Sequence, residues 1–193
     1  MIVGYDARNA FRNSSVLGEY SRNLIMAIAS CHSGDYRALL FAPKMNGEYR
    51  THFISYANVS TYRPVGLSKK FPTFWQRFRL NPELMDNKVK VYHGLNEELP
   101  YGIGRDIKTV ITCYGLMSHK ATSFIDSIMW RFRMRYSFRA SNIIVAVDEK
   151  VKNELVEFGV REEKIRVIPM PADGSVTNEI AEAYYYIYRS LIG

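Results

Sequence analysis

Seven short runs of β-branched and aliphatic residues recur along the chain, and most stretches between them are long enough and amphipathic enough to form a helix. The runs are Ile2–Tyr5, Arg37–Ala42, His52–Tyr56, Lys88–Tyr92, Lys108–Cys113, Asn142–Val147 and Ile165–Ile168. Helical spacing covers Leu17–Cys31, Phe71–Leu80, Phe124–Arg139, Glu149–Phe158 and Val176–Leu191. Parallel strands need crossover connections of helix length, so this alternation restricts the chain to βαβ units. It predicts an α/β fold, a single doubly wound and mostly parallel sheet with helices on both faces, Rossmann-like. The stretch Trp130–Tyr136 alternates apolar and basic residues as an edge strand does. Ile128, Met129, Phe132 and Tyr136 nonetheless share helical spacing, and the distance to the next strand selects helix.

Composition excludes several classes. At 193 residues with 47% apolar and 13% aromatic content, the chain buries a real core. No apolar run reaches the about 18–20 residues of a membrane span. The N-terminal Met-Ile-Val-Gly-Tyr-Asp reads as a strand with no leader pattern, so a cytoplasmic location is expected. Only Cys31 and Cys113 are present, each beside apolar residues, which predicts reduced core thiols and no metal site. The 26 Lys and Arg against 19 Asp and Glu give a formal +7 that favours anionic partners.

In such a sheet ligands meet the chain just past the carboxyl ends of strands, where backbone N–H groups and helix dipoles attract anions. The candidates there are Asp6, Arg8, Gly18, His93, Asn96, Tyr114, His119 and Lys120. Most have a plain structural alternative, while His93 stays open. Asp6 and Arg8 suit a local ion pair, His119 and Lys120 a solvated loop tip. Asn96 suits a turn cap, and Glu97 and Glu98, with ordinary carboxylate pKa values, are weak bases at neutral pH. Asp148 and Glu149 fit the N-cap and first turn of a helix. Lys69–Leu80 places Phe71, Phe74, Trp75 and Phe78 at helical spacing among basic residues. That pattern reads first as core packing and second as a membrane-surface contact. Arg131, Arg133, Arg135 and Arg139 read as a solvated face, with no nucleic-acid module beside them. Walker, nucleophile-elbow and zinc-protease motifs are absent from the sequence, and nothing calls for a cofactor.

Four segments in order carry a resemblance. They are Gly4-Tyr-Asp-Ala-Arg with its loop to Gly18, Val91-Tyr-His-Gly-Leu-Asn-Glu-Glu-Leu-Pro100, Lys108-Thr-Val-Ile-Thr112, and Ala140-Ser-Asn-Ile-Ile-Val-Ala-Val-Asp-Glu running to Val160 and Glu163-Lys-Ile-Arg-Val-Ile168. Together they resemble the N-terminal, acceptor-binding half of family-4-type glycosyltransferases of the GT-B fold. The resemblance implies a Rossmann-like domain over residues 1–170 and, over 171–193, a short turn with a helix packing back on that domain. In this family such a helix ends the whole enzyme, after a donor-binding domain. Here the Asp173-Gly174 turn stands in that domain's place, which points to excision, by engineering or by truncation.

Two departures weaken catalysis. The family's cleft histidine is matched by Tyr114, followed by Gly115 instead of an acid, and Val16 stands where the family's loop carries glycine. The resemblance therefore implies an acceptor domain without glycosyl transfer of its own, with no assigned catalytic residue and weak binding of a glycan or nucleotide-sugar. Two alternatives stay open. One is a minimal glycosyltransferase completed by a second chain, moving a sugar to a glycan or lipid-linked acceptor. The other is a peripheral module held at a membrane surface through Lys69–Leu80.

Overall fold

A computed structural model describes residues 1–12, 14–104, 106–116 and 123–193, with the side chain of Leu67 also left out. The strands are β1 (Ile2–Asp6), β2 (Arg37–Phe41), β3 (Val59–Tyr62), β4 (Val91–Gly94), β5 (Lys108–Cys113), β6 (Ile143–Ala146) and β7 (Ile165–Val167). They form one sheet in the order β3-β2-β1-β4-β5-β6-β7, and every pairing is parallel. The order reverses between β1 and β4, the switch point at which such sheets open a crevice at their carboxyl ends.

Alternate residues along the strands feed two cores. Val3, Tyr5, Leu40, His93 and Val110 face one side, packed by α1 (Arg8–Arg12), α2 (Val16–Cys31) and α8 (Asn178–Ile192). Leu39, Phe41, Tyr92, Ile111 and Ile144 face the other, packed by residues 72–86, α6 (Phe124–Ala140) and α7 (Glu149–Glu157). Each long helix begins on a side-chain cap of the expected kind. Ser15 Oγ accepts from Gly18 N–H, Ser123 Oγ from Asp126 N–H, Asp148 Oδ1 from Val151 N–H at 2.7 Å, and Thr177 Oγ1 from Ile180 N–H.

Four sequence expectations shift. The third strand forms at Val59–Tyr62, while His52–Tyr56 is a turn after the short helix α3 (Gly47–Thr51), with only Phe53 buried, against Phe11. The aromatic stripe is not core. Phe71, Phe74 and Phe78 are 64%, 54% and 51% exposed, and only Trp75 is buried. The cause is helical pitch: α4 (Pro72–Phe74) widens to a π-turn over Trp75–Arg79 before α5 (Leu80–Asp86). That wider turn aligns Trp75 with Leu80, five residues on, and rotates the phenylalanines outward. On α6 the inward residues are Met134, Ser137 and Phe138, so Met129 and Phe132 are left at the surface. Cys113 is buried, whereas Cys31 is exposed at the end of α2.

The connection from β7 to α8 is residues 168–177. Within it Gly174 N–H donates to the Pro171 carbonyl, and Asn23 of α2 donates to the Gly174 carbonyl at 2.9 Å. Gly174 has φ +71, and a Cβ there would sit 2.8 Å from the Val16 carbonyl oxygen and 3.1 Å from the Tyr20 nitrogen. Only glycine meets both demands, so this turn lies directly on the first turn of α2.

Candidate functional site

β1 delivers Asp6 to the carboxyl edge of the sheet, 1% exposed. Arg8, two residues on, closes on it with a forked contact: Nε to Oδ1 at 2.9 Å and a terminal nitrogen to Oδ2 at 2.7 Å. β4 ends at Gly94, where a Cβ would lie 2.6 Å from the Glu98 carbonyl oxygen. Glycine there lets residues 95–98 fold back beside β1, and this brings Asn96 and Glu98 to the Asp6–Arg8 pair. Asn96 Nδ2 donates to the Asp6 carbonyl at 3.3 Å, and Glu98 accepts from Arg8 at 3.3 Å and from Arg133 of α6 at 3.1 Å. Arg77 stands 3.6 Å from the same carboxylate. Burial works against the charge on Arg8, but Asp6 and then Glu98 more than offset it, so the guanidinium is held charged.

His93 points the other way. Its ring lies in the core under α8, with Nδ1 2.7 Å from the Tyr188 hydroxyl and Nε2 2.8 Å from Thr112 Oγ1. Burial depresses its pKa to about 3, so it is neutral across the physiological range. The network extends from Thr112 to the Tyr184 hydroxyl at 3.1 Å and from Tyr188 to Tyr5 at 3.2 Å. Desolvation pushes the phenols of Tyr5, Tyr184 and Tyr188 well above their ordinary pKa, so all stay protonated.

Tyr114 leaves β5 and turns under α2. Its ring meets Tyr20 edge-on, and its hydroxyl is buried near Ser21 without a hydrogen bond of proper geometry. Burial raises this phenol too, so it cannot accept a proton at neutral pH. Its backbone N–H donates to Glu97 at 2.7 Å. Glu97 occupies left-handed backbone, φ 61, and burial raises its carboxyl pKa. The geometry makes Glu97 a brace between the loops after β4 and β5. Gly18 is buried in the first turn of α2 with its N–H committed to Ser15. His119 and Lys120 lie outside the described residues. The fold thus gathers Asp6, Arg8 and Asn96, and separates them from His93, Gly18 and Tyr114.

Reading the loops singly misses a cavity of about 210 Å3 beside Arg8, past the carboxyl ends of β1 and β2. Its walls come from three separate stretches: Arg8 and Arg12, Pro43 and Lys44, and Pro72 with Gln76. Gln76 is 5% exposed. Its Nε2 donates to the Tyr92 hydroxyl at 3.3 Å, while its Oε1 has no partner. No single motif signals this; three cationic residues placed just after two adjacent strands and on the helix that follows do. A larger cavity of about 660 Å3 lies near Met1, Ser33 and Tyr56 at the amino ends of β1 and β2, the side of a parallel sheet that does not bind ligands. Among the described residues no group of His, Cys, Asp or Glu is arranged to hold a metal ion, and no helix is long and apolar enough to cross a membrane.

Comparison with known proteins extends this geometry. The profile of Glycosyltransferase Family 4 matches residues 22–175. A search of curated proteins returns no match. Among solved structures, Anabaena Alr3699/HepE in complex with UDP-glucose superposes with a TM-score of 0.56 at 14% identity, covering 87% of this chain and 43% of that one. A glycosyltransferase from Rickettsia africae ESF-5 gives 0.54 at 16% identity, over 97% of this chain and 49% of the other. A sucrose-phosphate synthase from Thermosynechococcus elongatus, named (tll1590)_27_220_406_426, gives 0.63 at 13% identity, covering 100% of this chain and 99% of that one. At such identities the likeness is one of fold. The chain spans less than half the length of the HepE and Rickettsia chains.

Proposed function

Because the chain belongs to glycosyltransferase family 4, we propose that it is the acceptor-side half of a GT-B glycosyltransferase, excised from its donor domain and closed by its terminal helix. The carrying observation is the path from β7 to α8. Residues 168–177 form a tight connection on α2, and α8 then returns across the sheet to seat Tyr184 and Tyr188 over His93 and Thr112. The sucrose-phosphate synthase chain supports the reading, since its name carries two ranges, 27_220 and 406_426, and this chain matches it end to end. Residues 1–170 form the Rossmann-like body in this reading, and 171–193 the turn and closing helix.

Transfer requires a donor diphosphate held opposite the acceptor in fixed geometry. In this chain the first turn of α2 is covered by the Gly174 turn, Tyr114 is buried and protonated, and His93 lies inside the core. The domain by itself therefore binds carbohydrate or nucleotide-sugar weakly and does not turn over. Amide-resolved NMR titration with UDP-glucose and simple glycans tests this. The expected result is small, non-saturating shifts with the nucleotide-sugar and no product. Saturable shifts at Gly18 and Tyr114 together with glycosyl transfer would replace this reading with that of a minimal enzyme.

A second reading rests on the outward aromatics. Phe74 packs on Phe78, Phe78 stacks on Tyr101, and Tyr101 meets Tyr136 of α6 at a tilt; Phe71 and, on α6, Phe124, Ile125, Met129 and Phe132 are also exposed. Residues 63–80 and 124–140 hold nine basic residues and one acid, Asp126, and of the nine Arg77 and Arg133 are matched by Glu98. Aromatic groups rimmed by cations suit an anionic bilayer surface. The chain is expected to sediment with phosphatidylglycerol vesicles, and Phe74→Ser with Phe78→Ser to release it. A chain that stays in the supernatant counts against membrane association.

A further inference from the structure

We infer that the groove between the last turn of α6 and the connection from α7 to β7 is a docking surface for an extended acidic peptide of a partner protein. The inference is independent of the acceptor-half reading.

The groove encloses about 400 Å3 at the amino ends of β6 and β7. Arg135 and Arg139 line it from α6, Arg161 and Lys164 from the facing connection, and no carboxylate lines it. The substrate crevice of a parallel sheet is at the other end, so side chains alone set what this surface takes up. Arg135 and Arg139 are exposed and make no ion pair among the described residues. Arg161 has Glu163 at 3.1 Å, but both are exposed and solvent screens the pair. Lys164 donates to the carbonyls of Arg139 and Ser141, at 3.2 and 2.7 Å, and so covers the negative end of α6 that would otherwise repel an acid. Burial and then Arg161 hold its ammonium below the usual lysine pKa, and Glu163 offsets only part of this. The groove is a positive field in want of a counter-charge.

Its geometry selects an extended chain. Arg135 and Arg139 are one turn apart, about 6 Å along the helix axis. Side chains two residues apart in an extended peptide are spaced by about 6.6 Å on one face, and those between them point to the opposite face. A run of four acids laid along the groove therefore presents two carboxylates to the α6 arginines and two to Arg161 and Lys164. Guanidinium forks match carboxylates in this way. A single-stranded nucleic acid would also need rings on which bases stack. The aromatic residues lining the groove, Phe138 and Phe158, are packed edge-on against each other, and Phe158 also meets Trp130 and lies under Arg131, so both rings are spent within the protein. A second copy of these 193 residues is not the occupant, since they hold no run of three acids.

The test is an amide-resolved titration of the full chain with a capped tetraglutamate peptide, set against capped Glu-Gly-Glu-Gly, tripolyphosphate and octa-uridine. The expected outcome is saturable shifts confined to residues 135–139 and 158–164, with tetraglutamate about tenfold tighter than the alternating peptide. Arg135→Gln with Arg139→Gln should weaken tetraglutamate by about tenfold or more. Arg50→Gln with Arg63→Gln removes the same charge at exposed positions elsewhere and should leave binding unchanged. Equal weakening in the two double variants, or shifts that spread over every exposed cation without saturating, overturns the inference as a plain effect of net charge. An alternating peptide that binds as tightly as tetraglutamate overturns the two-walled fit. Tighter binding of tripolyphosphate or octa-uridine at the same residues overturns it in favour of a phosphate-bearing ligand, and silence with tetraglutamate overturns it outright.

Discussion

His93 illustrates how one residue type at one position changes meaning with its surroundings. On sequence it follows a strand and precedes a glycine, a place where imidazoles bind ligands. In the fold the period-two alternation of β4 turns it to the α8 side, where Tyr188 and Thr112 use both ring nitrogens. The loop position was legible and the side of the sheet was not, because that depends on where α8 lands, about ninety residues later. Its pKa of about 3, against about 6.5 in an unfolded chain, makes it a source of acid sensitivity. The sign follows from proton uptake. Below about pH 6.5 the unfolded state takes a proton that the native state refuses, so this contribution is complete above 6.5 and is lost as pH falls toward 3. The slope is about 1.4 kcal/mol per pH unit, which amounts to about 2 kcal/mol between pH 7 and 5. Tyr5, Tyr184 and Tyr188 do not titrate in that window, since burial keeps them protonated. Urea unfolding at pH 7 and 5 should therefore show a drop in wild type that shrinks by about that amount in His93→Gln. An equal drop in both would remove His93 as its cause.

At the scale of elements, what sequence reveals depends on how many neighbours an element has. The central strands are clear because both faces are buried and their apolar runs are continuous. β3 is an edge strand, bonded on one side only, and its residues Val59–Tyr62 are all half-buried, so the more apolar His52–Tyr56 outcompetes it by propensity. The π-turn at Trp75–Arg79 defeats a 3.6-residue period for the same kind of reason: its pitch is set by the sheet beneath, where Trp75 and Leu80 must both reach the core. The Gly174 turn is also a product of packing, since the demand for glycine comes from Val16 and Tyr20 of another element. Gly174→Ala places a Cβ at φ +71 and 2.8 Å from a backbone oxygen, and neither can relax without moving α2. A loss of about 2 kcal/mol is expected, read as a fall of about 4–8 °C in Tm. Gly34→Ala, at a site where a Cβ meets nothing within 4 Å, is the control and should change stability by no more than about 0.5 kcal/mol. Equal melting of the two variants would mean that the turn yields without cost.

For the whole molecule the question is whether α8 is an attachment or part of the core. Tyr184, Ile187 and Tyr188 are buried on the same face as Tyr5, Leu24 and Val91, and the two tyrosine hydroxyls continue a network that starts inside the sheet. Full burial of three large side chains contributes about 5–9 kcal/mol, which is comparable with the total stability of a domain. Removing α8 would also strand His93 and Tyr5 with lost partners in an apolar setting, a penalty beyond the lost area. A chain ending after Ser175 is therefore expected to lose its cooperative thermal transition and to bind a hydrophobic dye. A separate peptide of residues 176–193 should restore both, since the groove it fills is formed by α2, β4 and β5 of the remaining chain. A truncated chain that melts cooperatively without the peptide would show instead that the sheet closes its own core. The helix would then have no reason to be retained where a donor domain is absent, and the excision reading would lose its physical basis.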